Sequence, residues 1–414
     1  MMPYWGAATI AALVSIFYAK VFAWCEQMGL SIFEAHHWLV FISIPVAIIG
    51  STLLAELFSP TAAGSGIPQL IAAVEMSRHP NTFLDRMLGI RMMIAKFIGS
   101  CLCVLGGAVT GREGPNLQIS AAIFSQVHRY WPKAKASTNL QPMILAGGAA
   151  GLAAAFNTPL GGIVFAIEEL AKVHISHVRT AIFHAVIIAG LLVQAILGNY
   201  LYLGTTTLTV SGAAEIFLLS LGSIAIGAIG GLFGVVIVRA LSWRSSLIFR
   251  NRMAVTAACG FAMATLVFFS GRVAMGSGRE VIVNLLSHPE HMADWSTGFV
   301  RVAANFLTYS GGVIGGVFAP ALSSGAGFGS FFGSLAGSAN PELWVLVGMV
   351  AFLTGLTRTP FTSMILVLEM TRSSDVIVVL MLAAIIAQGA AKLIDPISFY
   401  EHASMRLIKM AERT

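Results

Sequence analysis

Charge is what this sequence has least of. Lysine, arginine, aspartate and glutamate together make up 10% of its 414 residues, against roughly a quarter in an ordinary soluble domain. So few polar side chains cannot cover a water-facing surface, which excludes a soluble globule, a disordered chain and a nucleic-acid binder. Cysteine is scarce as well. Cys25, Cys101, Cys103 and Cys259 lack zinc-ribbon or thioredoxin spacing and lie in or beside apolar segments, so they read as buried small hydrophobes and not as a disulfide or metal framework. His174 and His177 form an HxxH pair with no third ligand nearby, and an interfacial, non-metal role is expected of them. The N-terminus, MMPYWGAATIAALV, has no basic residue ahead of its apolar run, so it is expected to stay as a membrane helix and not to be removed as a signal peptide.

Apolar sequence is what is present in quantity: 57% of the residues are hydrophobic, 42 are glycine, and the mean hydropathy is +0.84. A helix needs about 20 apolar residues to cross roughly 30 Å of hydrocarbon. Stretches free of formal charge run from Arg179 to Glu215, Glu215 to Arg239, Arg252 to Arg272 and Arg301 to Glu342. Their lengths predict an all-α polytopic membrane protein and not a barrel of short alternating strands. The net charge of +6 is gathered in short gaps: Arg78 to Lys96, Lys133 to Lys135, Arg244 to Arg252 and Arg406 to Arg413. These read as mostly cytoplasmic loops under the positive-inside rule.

Three local patterns occur twice in the same order. The first half carries GSGIP at 64–68, GREGP at 111–115 and NTPLGGIVFAIEE at 157–169; the second carries GSGRE at 276–280, GGVFAP at 315–320 and RTPFTSMILVLEM at 358–370. Both third copies place a glutamate nine residues after a proline, Pro159 to Glu168 and Pro360 to Glu369. The expected organisation is one transmembrane domain over 1–414, with a first repeat of about 5–200, a second of about 212–400 and a short C-terminal tail at 401–414. Duplicated halves interrupted by Gly/Pro-rich motifs are the pattern of secondary transporters whose broken helices build the substrate site.

GSGIP, GREGP and GGVFAP each suit the opening of a helix inside the membrane: glycine lets the backbone turn, and proline fits the first turn, where its missing N–H costs little. A helix start leaves N–H groups unpaired and carries partial positive charge. Several starts converging on one point would hold a partly dehydrated anion without a lysine or arginine, whose full charge would bind it too deeply for release. Ser65, between two glycines, is either a hydroxyl donor to that anion or a small packing residue, and its motif alone leaves both open. Glu113 is costly when ionised at such a depth. It either pairs with Arg112, or competes with the anion for N–H groups and takes up a proton when displaced. Glu168 and Glu169 lie about 100° apart on a helix, so at most one is expected to face the transport path. Glu369 could be the structural counterpart of Glu168.

Taken together, GSGIP with Ser65, GREGP with Glu113, GGVFAP with Phe318 and the Tyr400 of PISFY resemble the CLC family of chloride channels and chloride/proton exchangers, over nearly the whole chain. The resemblance implies a homodimer with one anion pathway per subunit and two inverted-topology repeats with broken helices. It implies a central anion site at the hydroxyls of Ser65 and Tyr400 and the backbone N–H groups of Val317 and Phe318. Glu113 falls on the family's gating glutamate, with Arg112 and Gly114 contributing to the outer part of the path, and Glu169 on its inner proton-transfer glutamate. Family members with an acid at that last position are usually exchangers, so chloride/proton antiport is expected, a passive voltage- or pH-gated chloride channel being the alternative. Members preferring nitrate often have proline where Ser65 stands, which makes chloride the expected ligand.

No enzymatic activity, metal or cofactor is implied. The expected partners are chloride, protons, the lipid bilayer and a second copy of the chain, with no nucleic acid. The 14 residues after Tyr400 leave no room for paired nucleotide-binding CBS domains, which points to a prokaryotic protein of a bacterial inner membrane. The 63 residues ahead of Gly64 suggest that the family's first, partly cytoplasmic helix is shortened or absent. Gln69 stands where an acid commonly follows GSGIP, and Asn116 follows GREGP. Two rivals are weaker: an intramembrane protease using Ser65 lacks a motif to activate the serine, and a sensor without flux would not need the full set of site residues.

Overall fold

The computed structural model describes residues 1–78, 82–132, 139–170, 179–198, 201–204, 208, 212–288 and 294–412. His174, His177, Lys133, Lys135 and Arg413 lie outside them. A chain in hydrocarbon must satisfy its backbone polar groups internally, and the described residues do so almost entirely as helices. The first half holds α1 (Met2–Ala35), α2 (Val40–Leu53), α3 (Ile67–Met76), α4 (Thr82–Met87), α5 (Ile90–Leu105), α6 (Glu113–Tyr130), α7 (Leu140–Phe156), α8 (Pro159–Phe165) and α9 (Arg179–Leu197). The second holds α10 (Ala213–Ser246), α11 (Phe249–Ser270), α12 (Arg279–Ser287), α13 (Trp295–Ser310), α14 (Phe318–Leu335), α15 (Pro341–Thr357), α16 (Pro360–Thr371), α17 (Ile377–Ile394) and α18 (Phe399–Ala411). Among the described residues, seven helical segments are long and apolar enough to cross a membrane, while α3, α7, α15 and α16 are shorter apolar helices.

The duplication extends to element lengths. Helices α1 and α10 both have 34 residues, α6 and α14 both have 18, and α7 and α15 both have 17. Helices α7 and α15 are apolar all round and bury nearly every residue, from Met143 to Phe156 and from Leu343 to Thr357, as expected of helices enclosed by protein. Around α7 pack α6, α8 and α9; around α15 pack α14, α16, α17 and α10. Both inner helices end on a left-handed residue, Asn157 (φ 57°) and Arg358 (φ 64°), which turns the chain at once into the Pro-led helix that follows.

The charge-free run from Arg301 to Glu342 comprises the rest of α13, a loop and α14. Two sequence expectations need correction. Lys96 is not in a cytoplasmic loop. It lies in α5, fully buried, with its amine donating to the carbonyls of Ala62 and Gly64, each at 2.8 Å; two converging carbonyls replace the water it would have sought outside. Arg244 likewise belongs to the last turn of α10, 9% exposed, where it meets Glu56 at 3.1 Å. Glu56 also pairs with Arg252 at 2.7 Å, so one acid ties down two cations that a linear reading leaves in solvent.

Candidate anion site

Four helix starts come together where the sequence motifs predict openings. The loop before α3 pairs with the loop before α14: the Gly64 N–H donates to Val313 O at 2.9 Å and the Gly315 N–H to Gly64 O at 3.2 Å. The loop before α6 pairs with the same segment, with Gly111 N–H to Gly316 O at 2.8 Å and Gly316 N–H to Gly111 O at 2.9 Å. Helix α18 packs against α3, and its first residue, Phe399, meets the Tyr309 ring at 5.8 Å. Pro68, Pro115 and Pro320 all stand in first turns, where no donor is forfeited. Gly66, at φ 106°, lies so close to the Gly114 carbonyl that a Cβ there would collide with it, and a Cβ on Gly114 would collide with the backbone and hydroxyl of Ser65. Glycine at both positions lets the GSGIP and GREGP turns touch.

Ser65, Glu113 and Tyr400 are completely buried, as are Val317 and Phe318 to within 1%. Ser65 donates its backbone N–H to the Tyr309 phenol oxygen at 2.6 Å. Its hydroxyl and that of Tyr400 have no hydrogen-bond partner among the described residues, which is unusual for buried polar atoms. The Glu113 carboxylate lies beside its own N–H and that of Ala319 without completing a well-aligned hydrogen bond to either. Those donors belong to the first turns of α6 and α14, where no intrahelical acceptor exists. A carboxylate, two hydroxyls and the N–H groups of Phe318 and Ala319 therefore share one enclosed place.

Two cavities reach this place, one touching Glu113 and the other Ser65. One, of about 400 Å³, is lined by Glu113 and Arg112, by the cations Lys20, Arg272 and Arg279, and by the acids Glu26 and Glu280. The other, of about 440 Å³, reaches Ser65 and Tyr309 and is walled by Arg244, Arg406 and Lys409 with no acidic residue in its lining. The cationic wall of the second cavity raises the local concentration of anions there. Arg112 reaches toward the carbonyls of Ala19 (3.0 Å) and Ala155 (3.3 Å) and stacks over the Tyr202 ring at 5.7 Å, so it contributes to the outer wall.

The adjacent acids separate completely. Glu168 and Glu169 sit on a π-helical turn, Ala166–Leu170. Glu168 accepts the N–H groups of Phe361 (3.2 Å) and Thr362 (2.7 Å) and the Thr362 hydroxyl (2.7 Å), capping α16. Glu369 reciprocates, accepting the N–H groups of Leu160 (3.1 Å) and Gly161 (2.6 Å) at the start of α8. Glu369 is thus the counterpart of Glu168, and the two carboxylates join the halves by exchanging caps. Glu169 points elsewhere: it is 4% exposed, it lies within electrostatic range of the Tyr400 phenol, and it is not part of the lining of the Ser65 cavity.

Sequence reasoning missed Lys96, Tyr309 and Arg301. The one available signal was numerical: Lys96 and Arg301 are 205 residues apart, as are Glu113 and Phe318. Gln69 proved to be a cap, its Oε1 accepting the Gly66 N–H at 2.9 Å while its amide donates to Ala63 O.

Broken helices meeting in a buried place reached by two cavities, on a chain with seven helical segments long and apolar enough to cross a membrane among its described residues, define the class of multi-pass membrane ion transporters. The profile of the family described as "Voltage gated chloride channel" matches residues 46–392, and the chain belongs to that family. It is similar to the H(+)/Cl(-) exchange transporters ClcA of Vibrio cholerae serotype O1 (30% identity, 89% of this chain, 79% of the relative) and of Salmonella paratyphi A (28%, 89% and 80%). Among solved structures it resembles a slow cyanobacterial Cl−/H+ antiporter, with a TM-score of 0.84, 22% identity and coverage of 99% of this chain and 98% of that one. A CLC-type fluoride/proton antiporter gives a TM-score of 0.78 at 21% identity, covering 97% and 96%. Those two likenesses show the CLC fold.

Proposed function

We propose that this protein exchanges chloride for protons across a bacterial inner membrane, as a homodimer with one pathway per subunit. The observation that carries the reading is the Glu113 carboxylate, buried between the two cavities beside the first N–H groups of α14, with the Ser65 and Tyr400 hydroxyls unpaired nearby. Ionised, Glu113 is a tethered anion competing with chloride for neutral donors. Protonated, it loses the charge that holds it there, and chloride takes the place at the Ser65 and Tyr400 hydroxyls and the N–H groups of Val317 and Phe318. Partial charges alone hold the ion, so binding is favourable without being deep. The cavity walled by Arg244, Arg406 and Lys409 faces the cytoplasm by the positive-inside rule. Glu169, close to Tyr400 but outside the lining of that cavity, offers protons a cytoplasmic route separate from that of chloride. The names carried by the bacterial relatives support the same exchange.

Chloride efflux from liposomes holding the purified protein, with internal pH followed simultaneously, tests this. A chloride gradient is expected to drive protons uphill. Glu169→Gln is expected to abolish proton movement while chloride flux survives, and Glu113→Gln to uncouple the two as well. Chloride flux that moves no protons in the unmodified protein would make it a passive channel on the same fold.

A further inference from the structure

The Gly-Ser-Gly turns at 64–66 and 276–278 differ in what receives the serine N–H. Ser277 gives it to a carboxylate, Glu26 Oε1 at 2.5 Å. Ser65 gives it to the Tyr309 phenol oxygen at 2.6 Å. Holding an N–H needs only an acceptor, but a phenol brings a proton as well: its oxygen accepts one hydrogen bond while its O–H donates another. Among the described residues Tyr309 makes no other aligned hydrogen bond. Its proton therefore has no protein acceptor, although the residue is only 5% exposed, and a buried donor without an acceptor is uncommon.

The duplicated fold does not itself call for a hydroxyl at this position. Helices α5 and α13 end 205 residues apart, at Leu105 and Ser310, and the same offset pairs Tyr309 with Val104. Other unused protons gather beside this one. The Ser65 hydroxyl lies within reach of both phenols, Tyr309 and Tyr400, without completing an aligned bond to either. Phe399 packs against both rings, 5.8 Å from that of Tyr309 and 5.2 Å from that of Tyr400. Tyr309 and Ser65 line the cavity walled by Arg244, Arg406 and Lys409, whereas Tyr400 is not part of that lining. Three buried O–H groups with no acceptor among them are complementary to a ligand that carries lone pairs and no proton.

We propose that Tyr309 is a third hydroxyl donor to the transported anion, on the cavity side of Ser65, and that it favours chloride over larger, weakly hydrated anions. The proposal rests on Ser65 and Tyr400 holding chloride. An ion leaving the cavity for this site gives up water, and each neutral O–H replaces part of that hydration. The Ser65 N–H polarises the phenol it donates to, which strengthens the O–H as a donor in turn. A carboxylate in the same seat would repel the ion, whereas the neutral phenol holds the turn and serves the anion at once. A hydrogen bond to a charged group changes affinity about tenfold. Iodide carries the same charge at a greater radius, so it gains less from each donor.

Titration calorimetry of the purified full chain with chloride, for the unmodified protein and Tyr309→fluorotyrosine, tests the idea. Ring fluorination makes the O–H a stronger donor and its oxygen a weaker acceptor while nearly keeping the shape. The expected result, at a pH where the phenol keeps its proton, is a lower dissociation constant for chloride. An unchanged or higher one overturns the proposal and makes Tyr309 a cap of the Ser65 turn only. Tyr309→Phe removes donor and acceptor together; it is expected to weaken chloride binding about tenfold and iodide binding less. Equal losses for the two anions overturn the preference. Tyr400→Phe reports on the site itself: weakened chloride binding there, with both Tyr309 variants unchanged, overturns the proposal and leaves the central reading intact. An unmodified protein that binds no chloride overturns both.

Discussion

Adjacent glutamates with opposite jobs give the most demanding prediction. Replacing Glu168 by alanine removes three hydrogen bonds at the start of α16. Losing an N-cap costs about 0.5–2 kcal/mol, and losing a full negative charge at a helix start about 0.3–1 kcal/mol more, so the sum is about 2 kcal/mol. With an unfolding entropy of about 2 cal/mol/K per residue, a chain of 414 residues loses about 2 °C in its midpoint. Thermal unfolding of the purified protein in detergent resolves such a shift. Glu369→Ala is expected to match it through α8, and the double variant to lose less than the sum, because the two capped helices pack against each other. Glu168→Gln is expected to keep chloride-driven proton transport at lower stability, and Glu169→Gln the reverse. Unchanged stability in Glu168→Ala, or proton coupling lost in Glu168→Gln but kept in Glu169→Gln, would refute the division of labour.

Two tyrosines should separate by stability. Tyr400→Phe removes a hydroxyl with no protein partner, so stability is expected to hold while chloride affinity by titration calorimetry falls severalfold. Tyr309→Phe takes the acceptor from the Ser65 N–H and should cost about 1–3 kcal/mol in unfolding free energy. Lys96→Met strips the donor from Ala62 O and one of two donors from Gly64 O. A penalty of about 1–3 kcal/mol and weaker chloride binding are expected, and unaltered binding would separate the buried amine from the anion site.

Much of this protein can be read from its residues in order. The scarcity of charge sets the class, because a chain with so few polar groups has no surface for water. GSGIP, GREGP and GGVFAP announce helix starts through local backbone chemistry, which is a property of a few consecutive residues. The doubled Pro-to-Glu spacing marks Glu168 and Glu369 as counterparts before any contact is known.

What the sequence could not decide is where long-range partners stand. Lys96 and Arg244 look like loop charges, because nothing near them in the chain reveals the carbonyls of Ala62 and Gly64 or the carboxylate of Glu56. Which of Glu168 and Glu169 faces the pathway depends on a π-helical turn and on an α16 start some 190 residues away. The enclosed place itself joins residues 65, 113, 318 and 400 across both halves. Each contributes a group that is ordinary alone, and only their convergence in a water-poor interior turns unpaired hydroxyls and N–H groups into a site an anion can occupy.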